Sequence, residues 1–241
     1  MQHHEPSDIA QRGPGLALFR DRFDAGGQLV ARLAHLASPA GSPAPLVLAL
    51  PRGGVPVAVP IARALGAELD LLLVRKLGLP HHPEFAMGAI GSGGVRVLQP
   101  GVPGLMGVTG AQVDAVTAAE LVELERRERL YRGARAAPTL AGRTVILVDD
   151  GIATGATLGV AIEIARRQQP ARLVAAAPVG APDTLAALRP RVDELVCLLA
   201  PPRFRAVSGW YRTFGQTSDE EVQDLLAQAW ATAPGRPAPS T

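Results

Sequence analysis

The chain of 241 residues has one cysteine, one lysine and few aromatics, which make up 4% of it. The single cysteine, Cys197, excludes a disulfide framework within one chain. It sits in the apolar run 195–199, where a lone Cys reads as a small buried hydrophobe. No apolar run is long enough to span a bilayer, so no membrane partner is expected. The opening residues 1–14 are polar and lack the apolar core of a secretory signal, which points to the cytoplasm. Charge of one sign is also scarce: Lys and Arg total 24 against 22 Asp and Glu. A net charge of +2 leaves no electrostatic footprint for nucleic acid. His3 and His4 fall in a terminal stretch and carry no metal role.

What is present is alternation. The hydrophobic fraction of 47% supplies a real core. Apolar runs at 46–50, 69–74, 144–148, 173–178 and 195–199 read as strands. Helical patterns fall at 55–65, 109–132, 156–168 and 183–188. Strands alternating with helices predict an α/β fold, a mostly parallel sheet with helices on both faces. An N-terminal helix over 19–37 precedes the first strand, and Gly66 is placed to cap the helix that follows that strand. Residues 77–107 are rich in Gly and Pro and read as a mobile loop and hairpin, with a turn at 91–94. Residues 201–231 form an appendage whose closing helix is announced by Ser218-x-x-Glu221. One domain is expected over 16–231, with a small hood from 16–38 and 201–231, a flexible start at 1–15 and a disordered tail at 232–241.

The chemistry concentrates in one stretch. Val145, Ile146, Leu147 and Val148 run straight into Asp149 and Asp150, then Gly151, Ile152, Ala153, Thr154, Gly155, Ala156 and Thr157 open a helix. Acids at the carboxyl end of a parallel strand sit where α/β proteins bind ligands. The helix start that follows offers free amides to an anion, and Thr154 and Thr157 add hydroxyl donors. A sugar phosphate needs that combination: acceptors for a diol at one end, donors for a dianion at the other. The loop lacks the Lys of a Walker A motif and the three glycines of a dinucleotide fingerprint.

Residues 145–158 resemble the phosphoribosyl-pyrophosphate signature of type I phosphoribosyltransferases. The resemblance implies that Asp149 and Asp150 hold the ribose diol and that Ala153, Thr154, Gly155, Ala156 and Thr157 wrap the 5-phosphate. Pro51-Arg52-Gly53-Gly54 resembles the family's pyrophosphate loop, and the resemblance implies a cis peptide joining Pro51 to Arg52. Taken alone, an Arg beside two glycines can be just a turn. Residues 77–94 resemble the loop that closes over substrate, with His81, His82 and Glu84 as its polar groups. The segments 19–26, 50–54 and 209–221 also resemble a bacterial group of phosphoribosyltransferase-domain proteins whose acceptor is undefined.

Lys76 stands out because every other cation is Arg. Its compact ammonium can reach a pyrophosphate oxygen without bidentate geometry. The appendage holds Phe204, Trp210, Tyr211, Phe214 and Trp230. Phe204 and Tyr211 can stack on an acceptor ring, or these aromatics can form a small satellite core. The expected activity is transfer of a 5-phosphoribosyl group from phosphoribosyl pyrophosphate to a nucleophile, commonly a ring nitrogen. Arg52, Lys76, Asp149 and Asp150 are the catalytic candidates. Mg²⁺ is the expected cofactor, held mainly by the substrate with Asp149 and Asp150 as possible ligands. The alternative is a regulatory protein that binds phosphoribosyl pyrophosphate without turning it over. The acceptor is unnamed, and a homodimer is left open.

Overall fold

Fully apolar runs need cover on both faces, and the sheet obtains it. The computed structural model describes residues 19–39 and 41–231. Five parallel strands are ordered β2-β1-β6-β7-β8: β1 is Leu46–Ala49, β2 Glu68–Leu71, β6 Thr144–Val148, β7 Arg172–Val179 and β8 Glu194–Leu199. Alternate side chains divide between two cores. Val47, Ala49, Ile146 and Val148 face α1 (Arg22–Leu33), α2 (Gly54–Leu65), α4 (Gly110–Arg132) and α7 (Asp219–Ala231). Leu46, Leu48, Val145 and Leu147 face α5 (Ala156–Arg167) and α6 (Pro182–Leu188).

The strand order locates the crevice. From β1 the chain moves outward to β2, and from β6 it moves the other way to β7 and β8. The order therefore reverses between β1 and β6, whose last residues Ala49 and Val148 are register partners. Such a reversal parts the loops above the strand ends and opens a ligand site.

Local signals behave as the residue types require. Asp21 caps α1 by accepting from the Asp24 amide at 2.8 Å. Gly66 ends α2 in the left-handed conformation. Thr109 and Gln112 form a full capping box on α4. Ser218 Oγ accepts from the Glu221 amide at 3.1 Å at the start of α7.

Three boundaries are corrected. The expected strand over 69–74 spans two: β2 ends at Leu71, and β3 (Val74–Leu79) enters a separate antiparallel sheet. Leu71, Leu72 and Leu73 are all buried, so the hydrophobic pattern does not break at the turn. In the region expected as loop and hairpin, the hairpin stands as β4 (His82–Gly91) and β5 (Val95–Leu98), but the expected loop ahead of it is occupied by β3, and the short α3 (Val102–Leu105) follows. Lys76 thus lies within a strand, opposite Ala89. The N-terminal helix starts at Arg22; Phe19 instead bridges to Tyr211. The expected flexible start, residues 16–18 of the hood and the expected tail lie outside the described residues. No helix among the described residues is long and apolar enough to cross a membrane.

One polar cluster lies inside the fold. Asp70 on β2 is fully buried and accepts from Arg132 Nε at 2.6 Å. Arg132, at the end of α4, also donates to the Leu71 carbonyl at 2.5 Å and to Glu128 at 2.9 Å. Burial pushes the Asp70 carboxyl up, and the Arg132 charge opposes it.

Candidate functional site

Strand β6 delivers Asp149 and Asp150 to the crevice. Asp149 Oδ1 accepts from the Asp150 amide at 2.9 Å. Asp150 Oδ2 accepts from Arg22 Nε of α1 at 2.8 Å. The Asp150 carbonyl accepts from the Tyr211 hydroxyl at 2.6 Å. Burial, and then the neighbouring Asp150 charge, push the Asp149 carboxyl up. Burial also raises Asp150, against the hydrogen bond and charge of Arg22. Two carboxylates held close together and partly desolvated favour any partner that brings hydroxyl donors or positive charge.

The loop after the acids is anchored near its start. Ile152 N donates to the Val179 carbonyl at 2.8 Å, and the Thr184 hydroxyl donates to the Ala153 carbonyl at 2.8 Å. Gly155 adopts φ +69 and caps α5 without a side-chain hydrogen bond. A side chain there would be strained, and a capping side chain would compete with an anion for the helix amides. Residues 151–158 with Asp149 enclose a hollow of about 140 Å³.

The loop after β1 packs against these acids. The peptide joining Pro51 to Arg52 is cis, as the resemblance implied. A Cβ on Gly53 would collide with the Asp150 carboxylate, and one on Gly54 would lie 2.5 Å from the Val148 carbonyl. The two glycines are therefore needed for loop-to-loop approach. Arg52 Nη1 lies 3.5 Å from Asp219 Oδ1. Asp219 also accepts from the Tyr131 hydroxyl at 2.6 Å, the largest cause of its lowered carboxyl. Arg52, Arg126, Arg127, Tyr131, Thr157 and Asp219 line a polar cavity of about 250 Å³. Thr157 borders both hollows, so they adjoin.

The fold thus gathers Arg52, Gly53, Gly54, Asp149, Asp150, Ala153, Thr154, Gly155, Ala156 and Thr157 at one crevice. Lys76 is exposed and lines neither hollow. It shares a strand face with Val74, two residues back, which does line the larger one. His81 and His82 are exposed at the turn between β3 and β4, and the side chain of Glu84 lies outside the described part.

The stacking role of Tyr211 is corrected. Its ring is 5% exposed and lies 5.4 Å from Phe19 and 5.0 Å from Phe214 between centroids. An aromatic so enclosed has no face for an acceptor. Phe204 is half-buried against the same cluster, so these aromatics form a satellite core. Trp230 packs too, donating to the Leu69 carbonyl at 2.8 Å.

Residue patterns did not mark Arg22, Arg126, Arg127, Tyr131 or Asp219 as site residues. Arg22 and Asp150 lie 128 residues apart, and no local spacing announces that pair. For α4 there was a signal: positions 126, 127, 130 and 131 share a helix face by their three- and four-residue spacing.

Residues 22–199 match the phosphoribosyl transferase domain model. Curated proteins from two Mycobacterium tuberculosis strains, carrying a provisional phosphoribosyl transferase name, are each 48% identical over 214 residues. Those matches cover 89% of this chain but 47% of each relative, so the chain spans about half their length. The crystal structure of TT1426 from Thermus thermophilus is 43% identical, with a TM-score of 0.77. It covers 87% of this chain and 98% of that one.

Proposed function

The chain belongs to the phosphoribosyl transferase domain family, and on that premise we propose that it binds phosphoribosyl pyrophosphate and transfers its 5-phosphoribosyl group to a nitrogenous acceptor. The observation that carries this reading is the pair of adjoining hollows that meet at Thr157. One offers hydroxyls and the first amides of α5, of which Ala156 N also meets Thr154 Oγ1 at 3.4 Å; the other offers arginines. Asp149 borders the first, and Asp150 follows it in the chain. A ligand with a phosphate at one end, a diol in the middle and a diphosphate at the other matches that order.

Each residue then has a defined task. The amides and hydroxyls of 153–157 hold the 5-phosphate. Asp149 and Asp150 accept from the ribose hydroxyls, and their negative charge favours a sugar that becomes cationic in the transition state. Arg22 holds Asp150 in place from α1. Arg52 contacts the diphosphate, and Lys76 approaches it from β3 as charge grows on the departing group. The bond broken joins C1 of the ribose to the pyrophosphate oxygen, which leaves with the electron pair. The acceptor nitrogen supplies the electrons of the new bond.

Asp149 and Asp150 also suit a hard divalent cation, since both offer oxygen donors and each carboxyl is destabilised as an anion. Among the described residues no group of three His, Cys, Asp or Glu gathers for a metal, and Asp149 and Asp150 would hold Mg²⁺ together with oxygens of the ligand. Mg²⁺, when bound, neutralises diphosphate charge.

The test incubates the protein with Mg²⁺ and phosphoribosyl pyrophosphate against purines, pyrimidines and other amines, and follows pyrophosphate release. Acceptor-dependent release is expected. Binding without release for any acceptor would favour the regulatory alternative, and absence of binding would overturn the assignment.

A further inference from the structure

The larger hollow has two walls, and only one comes from the loop after β1. The other is built by α4. Arg126, Arg127 and Tyr131 line it together with Arg52. Three guanidiniums therefore meet over a space of about 250 Å³, with the single carboxylate of Asp219 among them. Asp219 touches both walls: Tyr131 donates to it at 2.6 Å, and Arg52 lies 3.5 Å away. The only other acid engaging these arginines is Glu123, which takes Arg126 Nε at 2.7 Å and Arg127 Nε at 3.0 Å among the described contacts. Arg75, 4.0 Å from Glu123, is paired with Glu120 at 2.6 Å, so one Glu123 carboxylate is divided between Arg126 and Arg127. The cavity keeps an excess of positive charge that its own acids do not cancel.

We infer that Arg126, Arg127 and Tyr131 form the second wall of the diphosphate subsite, and that Asp219 is a resident counter-ion which an incoming diphosphate displaces from Arg52. The inference rests on the reading above and adds residues to it. A diphosphate presents several oxygens to three guanidinium forks, which match phosphate geometry. Asp219 heads α7, so its release on ligand entry links diphosphate binding to the C-terminal helix. No bond forms or breaks in this step; one carboxylate contact is exchanged for phosphate contacts.

The experiment titrates the full chain calorimetrically with inorganic pyrophosphate and, separately, with ribose 5-phosphate. The proteins are the wild type, Arg126→Gln/Arg127→Gln and Asp219→Asn, with circular dichroism confirming the fold. The double variant should lose tenfold or more in pyrophosphate affinity and keep its affinity for ribose 5-phosphate. Asp219→Asn should bind pyrophosphate several-fold more tightly, because the competing charge is gone. Unchanged pyrophosphate affinity in the double variant, with the wild type binding both ligands, overturns the second wall and leaves the proposed function standing. Equal loss for both ligands also overturns it, since the arginines would then act on the whole site. Weaker pyrophosphate binding by Asp219→Asn overturns the counter-ion role. A wild type that binds neither ligand overturns the proposed function together with this inference.

Discussion

Asp70 lies on a parallel strand and Asp149 just past the end of another, and burial raises both carboxyls, yet the fold treats them differently. Asp70 is sealed against Arg132, whose guanidinium also reaches a carbonyl and Glu128. Asp149 has a like charge for a neighbour, and its charged ally, Arg22, is engaged with Asp150. A paired buried acid joins elements; an under-compensated one at a strand end is held ready for something else. Here the first ties α4 to the edge strand, and the second faces the crevice.

The sharpest way to break that contrast is to remove the partner of Asp70. Arg132→Met leaves the buried Asp70 carboxylate with only the Leu71 amide and the more distant Arg135, 3.8 Å away, and should cost up to about 3–5 kcal/mol of stability. The denaturant midpoint should fall accordingly, and an unchanged midpoint would show that Asp70 does not rely on Arg132.

At the crevice the same kind of change should act on binding instead. Asp149→Asn with Asp150→Asn should weaken phosphoribosyl pyrophosphate binding by about 1.5–3 kcal/mol per lost charged hydrogen bond. The fold should persist. Calorimetric titration in Mg²⁺ decides it, and unchanged affinity would remove both acids from the site.

A cation at the same crevice extends the comparison. Lys76→Ala should lower turnover about tenfold, ~1.4 kcal/mol, and weaken ground-state binding less. Lys76→Arg should rescue only in part. Pyrophosphate release paired with direct binding separates the two effects; wild-type turnover in the Ala variant would make Lys76 a bystander.

The last effect concerns stability and pH. The folded state raises the Asp149 carboxyl, so it binds that proton more tightly than the unfolded chain does. The stabilising contribution is complete below the ordinary carboxylate range and fades as pH rises through the raised value. Asp149→Asn should therefore melt higher than wild type in ligand-free, metal-free protein, by about 2–4 °C per kcal/mol. The gap should widen as pH rises from about 4 upward, and a gap that narrows would contradict the sign.

The crevice was readable in the chain where its parts are local. Residues 145–158 carry strand, acids and anion loop in one run, and Pro51-Arg52-Gly53-Gly54 repeats the strand-end pattern. The mostly parallel sheet followed from alternation, though its strand order did not. Parts that depend on distant packing were not readable. Arg22 reaches Asp150, and Tyr131 reaches Asp219 from 88 residues away. Asp70 reads as a polar interruption in an apolar run, and only the packing of α4 sets Arg132 against it. Tyr211 suggested a stacking platform, but aromatic content cannot reveal that Phe19 and Phe214 enclose its ring.

The bridge between Phe19 and Tyr211 has a consequence for biosynthesis. The Arg212 amide donates to the Phe19 carbonyl at 2.9 Å, and Arg22 donates to the Gly215 carbonyl, 193 residues later, at 2.7 Å. A ribosome releases Arg22 early and Gly215 late. The nascent sheet can close around β1 and β6 while Tyr211, the partner of the Asp150 carbonyl, is still untranslated. The crevice is therefore finished last, and a chain stalled before that point would hold the motif without the finished pocket.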